Sequence, residues 1–296
     1  MTSRAVDDDI TRLIDAERLP ASFRETVEHI YAPLASAIAK HIGKVRQPCI
    51  VGLCGPQGSG KSTGAATLRI LLRATGHKVA VVSLDDLYLA RDDRLQLAKT
   101  VHPLLATRGP PGSHDVALGH DVFDRLLHPR ETALPSFDKS RDDRRVEEEA
   151  EIFAGPADII LFEGWCVGAV PQDSQELVDP VNELERRSDS DAVWRNFVNR
   201  ALAGYQPLFA RIGYLVQLLP PDFEVVSGWR KEQEAKLRVR TAPSDNKRHV
   251  MTDDEIDRFV QHYERLTRHI IEEMPSRADA VVQLGSNREL KQLDFS

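Results

Sequence analysis

Cysteine is scarce. Cys49, Cys54 and Cys166 are the three in 296 residues, and no two stand at C-x-x-C spacing. That excludes a disulfide framework and a zinc knuckle, and leaves buried, reduced thiols as the expectation. No apolar run approaches the ~20 residues of a membrane-spanning helix. The first residues carry Asp7-Asp8-Asp9 in place of the basic start and apolar centre of a secretory leader, so a cytoplasmic protein is expected. A basic excess is also missing. The formal net charge is −7 and the isoelectric point about 5.8, which argues against a general nucleic-acid or membrane-surface binder. With no internal repeat and no linker rich in Gly or Ser, nothing splits the chain into separate folding units.

What is present centres on Gly55-Pro-Gln-Gly-Ser-Gly-Lys-Ser-Thr63, which fits G-x-x-x-x-G-K-[ST]. The glycines let backbone N–H groups approach phosphate oxygens where a Cβ would obstruct. Gly55, Gln57, Gly58, Ser59, Gly60, Lys61, Ser62 and Thr63 are therefore the expected nucleotide-binding residues. Lys61 would reach the β- and γ-phosphates, and the Ser62 hydroxyl would ligate Mg2+. The flanks agree. Cys49–Cys54 is a short apolar strand, and Ala65, Leu68, Leu71 and Leu72 recur at helical spacing up to Gly76. Strand, glycine loop and helix in that order aim a helix N-terminus at the phosphates.

Residues 1–46 read as a helical extension packed on the core, with Phe23, Val27, Ile30, Tyr31, Leu34, Ile38 and Ile42 forming one stripe. After the phosphate loop, apolar strands are expected near 78–84, 158–164, 214–219 and 280–284. An amphipathic helix is expected around Trp194–Phe209, a charged helix over Trp229–Leu237, and a further helix from the capping box Thr252-Asp-Asp-Glu255 onward. The acidic run from Glu147 to Glu151 reads as a solvated helix face. Five strands separated by helices or long excursions imply right-handed crossovers. The fold class is thus α/β, a parallel five-stranded sheet with helices on both faces. The segment from 91 to 145 shows poor periodicity and many turn residues, and reads as a binding insertion.

Phosphoryl transfer needs more than a phosphate cradle. Glu163 ends an apolar strand, where an acid lies beside the phosphate loop and can hold Mg2+ directly or through water. Asp85 and Asp86 end another strand and face the same crevice. Adjacent carboxylates on an extended chain point opposite ways, so one is expected in the site while the other caps or ligates.

The phosphate loop, Ser83-Leu-Asp-Asp-Leu-Tyr88 and the strand ending Glu163-Gly164 resemble the uridine kinase and phosphoribulokinase group of P-loop kinases. Longer stretches, 101–116, Leu134-Pro-Ser-Phe-Asp-Lys139, Phe162-Glu-Gly-Trp-Cys-Val-Gly168 and Tyr263-Glu-Arg-Leu-Thr-Arg268, resemble the plant-type D-glycerate 3-kinase family. The resemblance implies a P-loop kinase domain over 47–296, with a substrate-binding insertion at about 91–145 and a lid at about 229–250. It implies transfer of the γ-phosphate of ATP to D-glycerate, with Mg2+ as cofactor. Asp85 would be the catalytic base and a possible metal ligand with Ser62 and Glu163, alongside Lys61 and a lid cation, Arg238 first among Arg230, Lys236 and Arg240. Asp86, Tyr88, Arg108, His114, Asp115, Asp138, Lys139 and Arg141 would line the acceptor pocket. The partner is a small molecule, with no nucleic acid or membrane, and the assembly a monomer or homodimer. Another hydroxylated acceptor, or a regulatory ATP-binding role, is the alternative.

Overall fold

The strand Cys49–Cys54 (β1) is buried along its whole length, as is Ile159–Gly164 (β3), because both faces of the sheet are covered. The computed structural model describes residues 4–240 and 251–296, with backbone alone at Glu147 and from 236 to 240. Val79–Ser83 (β2), Ile212–Leu219 (β4) and Ala280–Leu284 (β5) complete the parallel set. Leu290–Phe295 (β6) adds an antiparallel edge, giving the order β6-β5-β4-β1-β3-β2. Five strands were expected, and the sixth departs from that expectation. Its residues are half-buried or exposed without regular alternation, and a tight turn closed by the Gly285 N–H donating to Glu289 O at 2.8 Å returns the chain against β5.

Alternation along each strand feeds two apolar layers. Val51, Leu53, Ile159, Leu161, Val216 and Leu218 face one side. There Arg4–Glu17 (α1), Ala32–Val45 (α2) and Lys61–Ala74 (α3) contribute Ile10, Leu34, Ile38, Leu68 and Leu72. Ile50, Val82, Ile160 and Phe162 face the other side. They meet Phe123 and Leu126 of Val116–Leu126 (α5), Leu208 of Val193–Phe209 (α6), and Leu266 and Ile270 of Asp253–Glu273 (α8). The Phe123 and Phe162 rings meet edge to face, 5.0 Å between centroids. Burying each such side chain contributes roughly 1.5–3 kcal/mol.

The N-terminal stripe is not one regular helix. A π-helical turn occupies Val27–Tyr31, where the Ala32 N–H donates to Val27 O. Pro33 follows and has no N–H to continue the ordinary ladder, so the chain absorbs an extra residue. The acidic run forms only a 3-10 turn, Glu147–Glu149.

The insertion is more structured than its sequence suggested. It holds Arg91–Thr100 (α4), α5, and the short antiparallel pairs Phe137–Asp138 with Asp143–Arg144 and Glu131–Ala133 with Ile152–Ala154. Arg91–Thr100 has no apolar stripe because its buried residue is Arg94, which hydrogen bonds anchor rather than apolar packing. Among the described residues, no helix is long and apolar enough to cross a membrane.

Candidate active site

The phosphate loop runs from the end of β1 into α3. Gly58 and Gly60 have φ of 77° and 89°, backbone that L side chains adopt only with strain. A Cβ on Gly58 would lie 2.6 Å from the Trp229 Cβ. Trp229 belongs to Glu224–Arg240 (α7), so this helix rests directly on the loop. Arg288, in the turn before β6, ties the three parts together. Its Nε donates to Gly58 O at 2.5 Å, one Nη donates to Glu232 at 2.8 Å, and its guanidinium lies 5.0 Å from the Trp229 ring centroid. Beside the loop opens a cleft of about 790 Å3, lined by Glu17, Phe23, Tyr31, Trp229, Asn287 and Arg288 together with Gly58 to Thr63. Its size suits a nucleotide. Thr63 at its floor donates to the Glu17 carboxylate. The polar atoms Gln57 Oε1 and Ser59 Oγ are buried with no hydrogen-bond partner among the described residues.

Sheet register brings the acids together. Glu163 of β3 stands opposite Ser83 of β2 and Leu53 of β1, so the strand-end carboxylate lies between the phosphate loop and Asp85-Asp86. Ser62 Oγ donates to Glu163 Oε1 at 3.0 Å. The second Glu163 oxygen is buried and unpartnered among the described residues. A recess of about 560 Å3 opens here, lined by Ser62, Ser83, Asp86, Ser136, Arg145 and Glu163. Asp86, not Asp85, lines this recess beside the metal-ligating candidates. Burial pushes the Asp86 carboxyl up to about 6, with Asp85 and Glu163 adding to the rise against the Phe137 N–H that it accepts at 2.9 Å.

Asp85 faces another way. Its Oδ1 accepts from the Tyr88 hydroxyl at 2.8 Å and its Oδ2 from Lys139 Nζ at 2.6 Å. Burial alone would raise this carboxyl, yet the Lys139 and Lys61 ammonium groups and the two hydrogen bonds hold it well below the usual range. Tyr88 is stacked on His114, 4.6 Å between centroids. Tyr205 accepts from the backbone N–H of Gly112 at 2.9 Å and of His114 at 3.3 Å. Its own proton therefore goes to His114 Nδ1, 2.8 Å away, which assigns the ring proton to Nε2. Burial lowers His114 to about 4. At neutral pH it is an uncharged ring with a buried Nε2 donor unpartnered among the described residues.

The loop carrying Arg108 is held from both sides. Trp165 Nε1 donates to Gly109 O at 3.0 Å and the Tyr263 hydroxyl to Arg108 O at 3.1 Å. Gly109, at φ 126°, allows this approach, since a Cβ would lie 2.0 Å from the Tyr263 hydroxyl. Arg108 Nη1 donates to Asp142 Oδ1 at 2.5 Å, and its guanidinium lies 5.9 Å from the Phe137 ring centroid.

Three expected pocket residues take other work. Asp115 caps α5 by accepting from Leu118 N at 2.9 Å and pairs with Arg144 at 2.9 Å. Asp138 shapes its own turn, held down to about 2 by the Ser140 hydroxyl and N–H. Arg141 is exposed and pairs with Asp138 at 3.7 Å. The short-range chemistry of caps and turns accounts for all three. On α7, where a lid was expected, Arg230 pairs with Glu234 at 2.7 Å over the Phe259 ring. The side chains of Lys236, Arg238 and Arg240, and all of 241–250, lie outside the described residues.

Sequence reasoning missed Arg288, Glu17 and the hydroxyls of Tyr205 and Tyr263. Helical periodicity places the two tyrosines on apolar faces, and both are buried. Periodicity is blind to what a hydroxyl at the end of a core side chain touches. The turn residues Gly285-Ser-Asn after an apolar strand were the available signal for the turn that carries Arg288.

The model of the methylmalonyl-CoA mutase-associated GTPase MeaB family matches residues 22–87, the stretch around the phosphate loop. The chain is 36% identical over 228 residues to mug58 of Schizosaccharomyces pombe, an uncharacterised kinase, covering 73% of this chain and 79% of that one. It is 30% identical over 257 residues to the chloroplastic D-glycerate 3-kinase of Arabidopsis thaliana, covering 79% of this chain and 52% of the plant protein. The chain belongs to the same family of P-loop kinases as mug58. A solved D-glycerate 3-kinase from Cryptococcus neoformans var. grubii superposes with a TM-score of 0.75 at 25% identity, over 90% of this kinase and 99% of that chain. This kinase is thus an ATP-dependent phosphotransferase acting on an alcohol group of a small molecule.

Proposed function

We propose that this kinase phosphorylates D-glycerate, giving 3-phosphoglycerate if it follows the relatives so named. One observation carries the reading: Asp85, the candidate base, stands between a tyrosine hydroxyl and a lysine, with a second cation, Arg108, anchored on the same hairpin through Asp142. A small hydroxy acid needs that pairing, an acceptor for its hydroxyl and a cation for its carboxylate. Glycerate has little apolar surface, so charge-assisted hydrogen bonds of about 1.5–3 kcal/mol each must supply its affinity.

In this reading the acceptor hydroxyl donates to Asp85, and Arg108 takes the carboxylate. His114, neutral and carrying its proton on Nε2, offers a further donor. The loop amides and Lys61 hold the phosphates. The donor set also fits Mg2+, because Glu163 offers a buried oxygen with no partner among the described residues beside the Ser62 hydroxyl, with Asp86 across the recess. Bound there with ATP, the ion would neutralise charge on the phosphate oxygens. Following ADP release with Mg2+-ATP alone, then with D-glycerate, uridine and a set of sugars, tests the reading. Stimulation by D-glycerate above the ATP blank is expected, and its absence would remove glycerate as the acceptor.

A further inference from the structure

We infer that Lys139 gates the base: in the empty site its ammonium occupies Asp85 Oδ2, and an anionic acceptor frees that oxygen by drawing the ammonium onto its own carboxylate. The inference rests on the glycerate reading and adds to it how the site admits acids and turns away neutral alcohols.

The two oxygens of Asp85 are held differently. Oδ1 accepts from Tyr88, a buried side chain packed between His114 and Phe137. Oδ2 accepts from Lys139, whose side chain is 58% exposed on the turn between two short strands. Tyr88 alone can therefore keep the carboxylate oriented when Lys139 leaves. The four-carbon lysine stem is flexible, and the exchange gives the ammonium a second carboxylate in place of the first, so its net cost is small. Arg108 is the fixed cation by contrast, clamped by Asp142, which Arg94 binds from within the protein. Lys139 is the cation that can move.

The reaction then balances without another reagent. The acceptor hydroxyl oxygen forms a bond to the γ-phosphorus as the bond from that phosphorus to the β–γ bridging oxygen breaks, and ADP takes the electron pair. The hydroxyl proton passes to Asp85 Oδ2, vacated by Lys139. A neutral alcohol brings no anion, so it must compete with Lys139 for that oxygen.

The test compares D-glycerate with glycerol, its neutral analogue, in the wild type and in Lys139→Met, which keeps the stem and removes the charge. The KM for glycerate should rise ~10-fold or more, and kcat/KM for glycerol should rise several-fold, so that the preference for glycerate falls by ~100-fold. Equal losses with both acceptors, or no gain with glycerol, would overturn the gate and leave Lys139 a structural contact. If wild type fails on glycerate, the glycerate reading and the gate fall together. If wild type succeeds and Lys139→Met keeps its preference, only the gate falls. A binding measurement gives a second answer. In Asp85→Asn the ammonium has lost its rival, so glycerate should bind at least ~3-fold tighter by calorimetry, and weaker binding would count against the exchange.

Discussion

The two sides of the active site are built by different means. On the nucleotide side, contiguous residues do the work, since Gly55 to Thr63 supply glycine geometry, backbone donors, Lys61 and Ser62 within one strand–loop–helix unit. On the acceptor side nothing is contiguous. Asp86 holds the Phe137 amide, Arg94 holds Asp142, Asp142 holds Arg108, and Tyr205, Tyr263 and Trp165 hold the 108–114 loop across separations of tens of residues. A phosphate cradle is generic and local, whereas acceptor choice depends on side chains that only the folded chain assembles.

Substitutions can break this contrast, beginning with the largest effect. Lys61→Met should lower kcat/KM on the order of 10³-fold with every acceptor, since it removes charge at the transferring phosphate. Arg94→Ala should act only on the other side. It strips a 1%-exposed guanidinium from Leu89 O, Ala106 O and Asp142 and should cost about 3 kcal/mol in urea unfolding. It should also raise the acceptor KM while ATP binding holds. Asp85→Asn should reduce kcat by ~100-fold with ATP affinity within ~2-fold, as loss of a base predicts. A parallel loss of ATP affinity would show that the two sides are not separable.

Asp86 sharpens the comparison because it serves both. Its folded carboxyl is raised to about 6, so its ionised form is disfavoured by folding. The stability it contributes is present below its unfolded value near pH 4 and is lost as pH rises through 6. Asp86→Asn keeps an acceptor for the Phe137 N–H, and should gain about 1–2 kcal/mol on wild type between pH 4 and 7 in denaturant titrations. The smallest effect is expected at Arg288→Ala, with ~5-fold higher KM for ATP and an unchanged acceptor KM, read from paired saturation curves. The reason is that Arg288 braces Gly58 and Trp229 rather than any acceptor group.

Much of the fold was legible because parallel strands buried on both faces read as continuous apolar runs, and because helices cover them with 3.6-residue stripes. The edge strand β6 has no fully buried residue and no regular alternation, so it carries little strand signal. Arg91–Thr100 carries no apolar signal, since a buried arginine organises it. In the candidate site, the phosphate loop and Glu163 were legible from a motif and a strand end. Asp115 was readable either as a pocket residue or as a helix cap and Asp138 only as a polar loop residue, since caps and turns use the same residue types as binding sites.

The sequence by itself determined that Gly55–Thr63 forms a phosphate-cradle type of loop between strand and helix, because that form is written in adjacent backbone units whose positive φ at Gly58 and Gly60 favours glycine. Only the tertiary structure decided that Asp86 turns toward Ser62 and Glu163 while Asp85 turns toward Tyr88 and Lys139. Two adjacent carboxylates are chemically identical until the neighbours of each are known. Those neighbours arrive through sheet register and through a hairpin more than fifty residues away.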